Sequence, residues 1–249
     1  MSTSTAPAAP TSTTEVQPRF SALFTELENR FKATNLGSDK WYILAISTLV
    51  ASPDPERADQ LYLHLTQQEQ YTTSAARQAL IRRLREALVK SVPIVGVCKP
   101  IEAILSIAEV ERDEDKDYTF TREGWQCDQA NHERGTGWMQ KLYSRNTAGT
   151  LDLFSAHRDF SWLSKEITYG LFLSDRMVLD DLDTELVVLP GIMSQNLPKE
   201  THWHIRGTRR IGVPKEEVEV IWDCVQLVAQ FFDVKLHKVP TVEAVEHDV

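Results

Sequence analysis

The chain has 249 residues, 27 Lys+Arg against 36 Asp+Glu, 42 % hydrophobic residues and a formal charge of −9, enough for one globular domain with a sizeable core. That charge argues against general nucleic-acid binding, which draws its affinity from Lys and Arg at phosphates. A mean hydropathy of −0.31, with no uncharged apolar run of about 18 residues, argues against a membrane span.

From the start, residues 1–18 hold Ser, Thr, Ala and Pro with one acid and no base, too little apolar surface to offset the entropy of ordering, and read as a disordered tail. The first arginine is Arg19, so a mitochondrial presequence is only the secondary reading. Phe20, Leu23, Phe24, Leu27 and Phe31 fall on one stripe of an amphipathic helix. Asp39 is placed to cap a second helix through Val50, which Pro53 and Pro55 stop. Residues 55–68 predict a third, Ser74 opens a longer one ended by Pro93 and Gly96, and a short helix runs from about Pro100 to Val110.

The run 109–117 has six acids against two bases, a net of −4, and reads as a solvated loop. Residues 77–90 carry five bases against one acid, a net of +4, expected as a solvated helix face paired with that loop. Trp138 to Tyr143 and a stretch around Phe160 to Leu173 predict further helices, and no segment alternates long enough to argue a sheet. The fold class is therefore all-α, in one domain over 19–236, with 237–249 a frayed C-terminal tail.

Three cysteines, Cys98, Cys127 and Cys224, are odd in number and far apart. They offer neither a disulfide scaffold nor a clustered zinc site, and no metal or cofactor is expected. They point to a reducing compartment, expected to be the cytoplasm. Cys98 reads as a small buried hydrophobe, and the Cys127/His132 segment as a glycine-bearing loop.

Residues 179–232 carry the chemistry and parse as three helices with short turns. The first starts near Asp180 or Asp181 and includes Glu185, with Pro190–Gly191 expected to kink or break it. Asn196 is placed to cap the second, which opens with Pro198 and closes at Gly212, and Pro214 starts the third. Glu200 and His204 stand at i and i+4 and share a face. His202 lies about 200° round from His204, so the two cannot bite one metal from a helix, and Arg206 and Arg210 read as solvent-side or interface charges.

An acid in LDxxxxEL, a second acid four residues before a histidine, and the following G-V-x-x-E-E-V resemble the carboxymuconolactone decarboxylase / alkylhydroperoxidase AhpD-like superfamily. In its peroxidase branch a Glu precedes Cys-x-x-Cys-x-x-x-His by twelve residues; from Glu185 that frame lands on Leu197, Glu200 and His204. Both cysteines are absent, which argues against thiol peroxidase chemistry and makes the sequence similar to the decarboxylase branch. The same spacing from Glu86 reaches Cys98, Ile101 and Leu105, so the resemblance implies an AhpD-like helical bundle with an internal helix-hairpin duplication. A degenerate copy lies at about 75–110 and the motif-bearing copy at about 175–232.

The resemblance implies a cofactor-independent lyase acting on a small carboxylated or lactone-type metabolite. His204 would serve as acid/base and Glu200 and Glu185 would support it. It further implies a trimer or hexamer, with no nucleic acid or membrane partner. The alternative is a non-catalytic oligomerisation or interaction module of the same fold; a thiol-dependent antioxidant using Cys98 or Cys224 ranks third. Convergence of Glu185, Glu200 and His204 in a closed site separates the first reading from the second.

Overall fold

The computed structural model describes residues 15–249. The expected N-terminal tail thus lies outside the described residues as far as residue 14. From there the chain packs at once: the Gln17 amide donates to Gln60 Oε1 at 2.8 Å, and Pro18 occupies the first turn of α1 (Pro18–Lys32), where its missing N–H costs nothing. All five residues of the predicted stripe are buried.

The architecture is all-α, with no strand among the described residues. At its centre lies α2 (Trp41–Ala51), whose every residue is buried, as a helix apolar on all sides requires. Around it pack α1, α3 (Ala58–Thr66), α4 (Ser74–Val95), α5 (Cys98–Val110), α9 (Asp181–Met193) and α11 (Lys215–Phe231). A second, smaller core forms between α6 (Gln129–Tyr143), a π-helix at Leu163–Leu173, and α9, built from Trp138, Met139, Leu142, Tyr169, Leu173, Val188 and others. The short helices α7 (Thr147–Asp152) and α8 (Arg158–Trp162) lead into the π-helix. The site helix α10 (Pro198–Arg210) lies against both α6 and α9. The chain closes with α12 (Val242–Val245).

Several expectations change. Asp39 does not cap α2, whose N-cap is Lys40, and Thr73 caps α4 by accepting from the Ala76 amide. Pro93 lies inside α4, which ends at Val95 with Gly96 as its C-cap, and Pro190 lies inside α9, which continues unbroken to Met193. Pro190 leaves the Leu186 carbonyl without its helical donor, and beside it Ser47 Oγ donates to the Val187 carbonyl at 2.5 Å, tying α9 to α2. Asn196 is no cap either; it turns the chain in the left-handed region, with φ 58°, and Leu197 stands at the N-cap.

The acidic run is solvated only in part, through the exposed Glu109, Arg112, Asp113 and Glu114. It lies back on α4, where Asp115 meets Arg77 Nε at 2.6 Å and Asp117 is shared by Arg82 and Arg85. Asp115 is 1 % exposed. The pairing of the basic and acidic runs is thus present, but buried. His132 belongs to α6, and its Nδ1 sits 2.5 Å from Glu166 on the π-helix. Cys98 is exposed, not buried. The expected frayed tail is folded as well: Val242 and Val245 are buried in the main core, and Trp222 Nε1 donates to the Pro240 carbonyl at 2.9 Å.

Candidate functional site

The start of α9 is fixed by a capping box: Asp180 accepts from the Asp183 amide at 2.7 Å while Asp183 accepts from the Asp180 amide. One turn on, this register turns Glu185 inward, to 1 % exposure. Opposite it, α10 begins at Pro198 and carries Thr201, His204, Ile205 and Thr208 on its buried face.

Glu185 and His204 meet there. His204 Nδ1 lies 2.9 Å from Glu185 Oε2, and His204 is 5 % exposed. Thr208 Oγ1 lies 3.4 Å from the same carboxylate oxygen and donates to the His204 carbonyl at 2.7 Å. The second carboxylate oxygen, Oε1, is buried without a partner. With Nδ1–H donating to the carboxylate, the imidazole presents Nε2 as an acceptor. It faces the Tyr169 hydroxyl at 3.4 Å, and that hydroxyl lies 2.7 Å from the Tyr143 hydroxyl. Burial pushes the Tyr143 phenol up to about 12, against its hydrogen bond with Tyr169, and raises Tyr169 well above its ordinary value. Both tyrosines therefore stay protonated and serve as hydroxyl donors and acceptors.

Glu200 does not join this group. Both ring nitrogens of His204 are taken by Glu185 and Tyr169, and Glu200 is half-buried on the approach to Tyr143, whose proton it helps to retain. The first-copy frame builds nothing comparable: Ile101 and Leu105 are exposed, and Glu86 pairs both of its oxygens with Arg122 at 2.6 Å. Sequence reasoning missed Tyr169 and Tyr143. Tyr169 stands on the π-helix, a geometry that recurs at functional sites. It also missed Arg206, which is 3 % exposed instead of solvent-side.

The cysteines offer no paired thiol site. Cys224 is buried, and desolvation pushes its thiol up to about 12, away from the thiolate that thiol chemistry needs.

What the fold and site define is an all-helical protein with a buried Glu–His–Tyr–Tyr hydrogen-bonded chain. Among curated proteins, the chain is similar to Peroxisomal protein 2 of Schizosaccharomyces pombe, 29 % identical over 141 residues that cover 55 % of this chain and 63 % of the relative. It is also similar to Peroxisomal protein 2 of Saccharomyces cerevisiae, 20 % identical over 179 residues, 62 % of this chain and 63 % of that relative. The matched spans cover less than two thirds of either relative's length. No family model and no solved structure matches the chain.

These relatives overturn two expectations. Both are named for the peroxisome and neither for a decarboxylase or lyase, so the decarboxylase function is withdrawn. The cytoplasmic placement, with its mitochondrial alternative, goes with it: the cysteine count that suggested it bears on disulfides, not on an address.

Proposed function

We propose that this chain works in the peroxisome as a helical protein that uses a buried acid–base group. Glu185 orients His204, and Tyr169 and Tyr143 carry protons between the imidazole and the α6–α10 surface. One observation carries the chemical part of this reading: a carboxylate at 1 % exposure lies 2.9 Å from one nitrogen of a buried imidazole whose other nitrogen faces a hydroxyl. A carboxylate behind the ring and a hydroxyl in front is an arrangement that orients a proton acceptor. The names of the two relatives support the compartment. An AhpD-like helical scaffold, the source of the Glu185–His204 frame, belongs to the same proposal; decarboxylation does not.

The compartment is tested by expressing the full chain with an internal fluorescent tag beside a peroxisomal marker. Coincident punctate signal is expected, and diffuse signal in cells with normal peroxisomes contradicts it.

A further inference from the structure

On the far side of α10 from Glu185, four basic side chains gather about one carboxylate. Arg206 Nη1 donates to Asp248 Oδ2, and His202 Nε2 lies 3.0 Å from the same oxygen. Arg210 and Arg145 each donate to the Asp248 backbone carbonyl at 3.0 Å, and Arg145 also reaches the Val249 backbone oxygen at 3.2 Å. Three guanidinium groups thus converge on Asp248, one on its carboxylate and two on its backbone carbonyl.

Such crowding is unfavourable without an anion. After burial, Arg206 and Arg145 are the influences that lower the Arg210 guanidinium from its ordinary value. Asp248 is held below the usual carboxylate range by His202 and Arg206 against the effect of burial. A second observation points to a ligand as well: Arg206 is 3 % exposed, and its Nε is buried with no acceptor. Asp248 thus takes an Nη1–H of this guanidinium, and the Nε–H remains for a further acceptor.

The group that fills the cluster is held in a way that permits release. Up to Val245 the C-terminal segment is anchored by apolar burial, with Val242 and Val245 in the core and Thr241 accepting from the Ala244 amide. Beyond Val245, a single 3₁₀ turn (Glu246–Asp248) is tied down by polar contacts: Glu246 to Arg209, and Asp248 to the cluster.

We propose that Arg145, His202, Arg206 and Arg210 form a binding site for an oxyanion, carboxylate or phosphate, on a small molecule, and that Asp248 occupies it as an internal stand-in which the ligand displaces. The site lies apart from the Glu185–His204 pair and stands whether or not that pair moves protons.

The test compares the full chain with Asp248→Asn at about 0.15 M salt, where the Debye length of about 8 Å suppresses non-specific attraction. Inorganic phosphate and succinate serve as probes, read by titration calorimetry. At least one should bind Asp248→Asn tenfold more tightly than the unsubstituted chain, the stronger of the two naming the oxyanion. Adding the exposed-side substitution Arg145→Gln should lower that affinity at least tenfold, while adding Arg158→Gln, outside the cluster, should leave it unchanged. Equal affinity in Asp248→Asn and the unsubstituted chain for both probes overturns the proposal. So does binding that Arg145→Gln leaves intact, or that Arg158→Gln weakens as much.

Discussion

Glu185 Oε2 accepts from His204 Nδ1, with Thr208 Oγ1, whose proton goes to the His204 carbonyl, 3.4 Å away, and its other oxygen has no partner. Removing one partner of such a buried pair costs about 3 to 5 kcal/mol, because the remaining charge is left without compensation, whereas an apolar replacement of both is far less harmful. His204→Leu should therefore destabilise by about 3 kcal/mol in urea, and Glu185→Leu/His204→Leu should recover much of that loss. Additive losses in the double-mutant cycle would show the pair to be energetically uncoupled.

Lys90 presents a different buried charge. It is fully buried, its Nζ donates to the carbonyls of Leu173 and Asp175 at 3.2 and 2.8 Å, and burial, outweighing the opposing pull of Glu86, brings it down to about 7. The folded state then releases a proton that the unfolded chain keeps up to the ordinary lysine range. The cost of charging Lys90 is fully present below about pH 7 and is relieved as pH rises toward 10. Stability relative to Lys90→Met should climb by up to about 1.4 kcal/mol per pH unit across that window; a pH-independent difference contradicts the assignment. At this scale Glu185 and His204 were legible, because nineteen residues of helix–turn–helix spacing bring them together. Tyr169 was not: it lies 35 residues from His204 on another element, and no local pattern encodes that meeting.

Among elements, the π-helix sets the position of Tyr169, and two glycines set the position of the π-helix. A Cβ at Gly135 would stand 2.3 Å from the Lys165 carbonyl oxygen, and one at Gly170 would stand 2.5 Å from Asn131 Nδ2. Backbone meets backbone at the first position, so no side chain is free to give way. Gly135→Ala should cost about 3 kcal/mol through overpacking and weaken the Tyr169–His204 contact. Thermal denaturation reads the first effect and the His204 ring resonances the second; unchanged stability would mean that α6 and the π-helix do not pack this closely. The helices of the main core follow from apolar stripes that periodicity detects, as at α1 and α11. The π-helix does not, because over eleven residues its apolar spacing resembles that of an α-helix. Pro93 misled as a stop: α4 continues past it to Val95, and Gly96 closes the helix.

In the whole molecule, α9 runs between two cores: Leu186, Val187, Leu189 and Met193 belong to the larger and Val188 and Ile192 to the smaller. Glu185 and His204 lie at this seam, where polar atoms are shut in from two sides. The all-α class was legible because no stretch alternates, and the basic run on α4 found the acidic run as charge patterning suggested. The activity was not legible. A Glu-to-His frame fixes which side chains meet, while the reaction depends on what else lines the meeting point, and the compartment is named only through relatives.

The central claim is that Glu185 holds the His204 imidazole with Nε2 as the accepting nitrogen, turned to Tyr169. ¹⁵N NMR of the ring, at a pH where His204 is neutral, tests it directly. The account predicts the Nδ1–H tautomer in the unsubstituted chain, shifted by Tyr169→Phe and lost in Glu185→Leu. An Nε2–H tautomer, or ring nitrogen resonances identical in all three proteins, would contradict it.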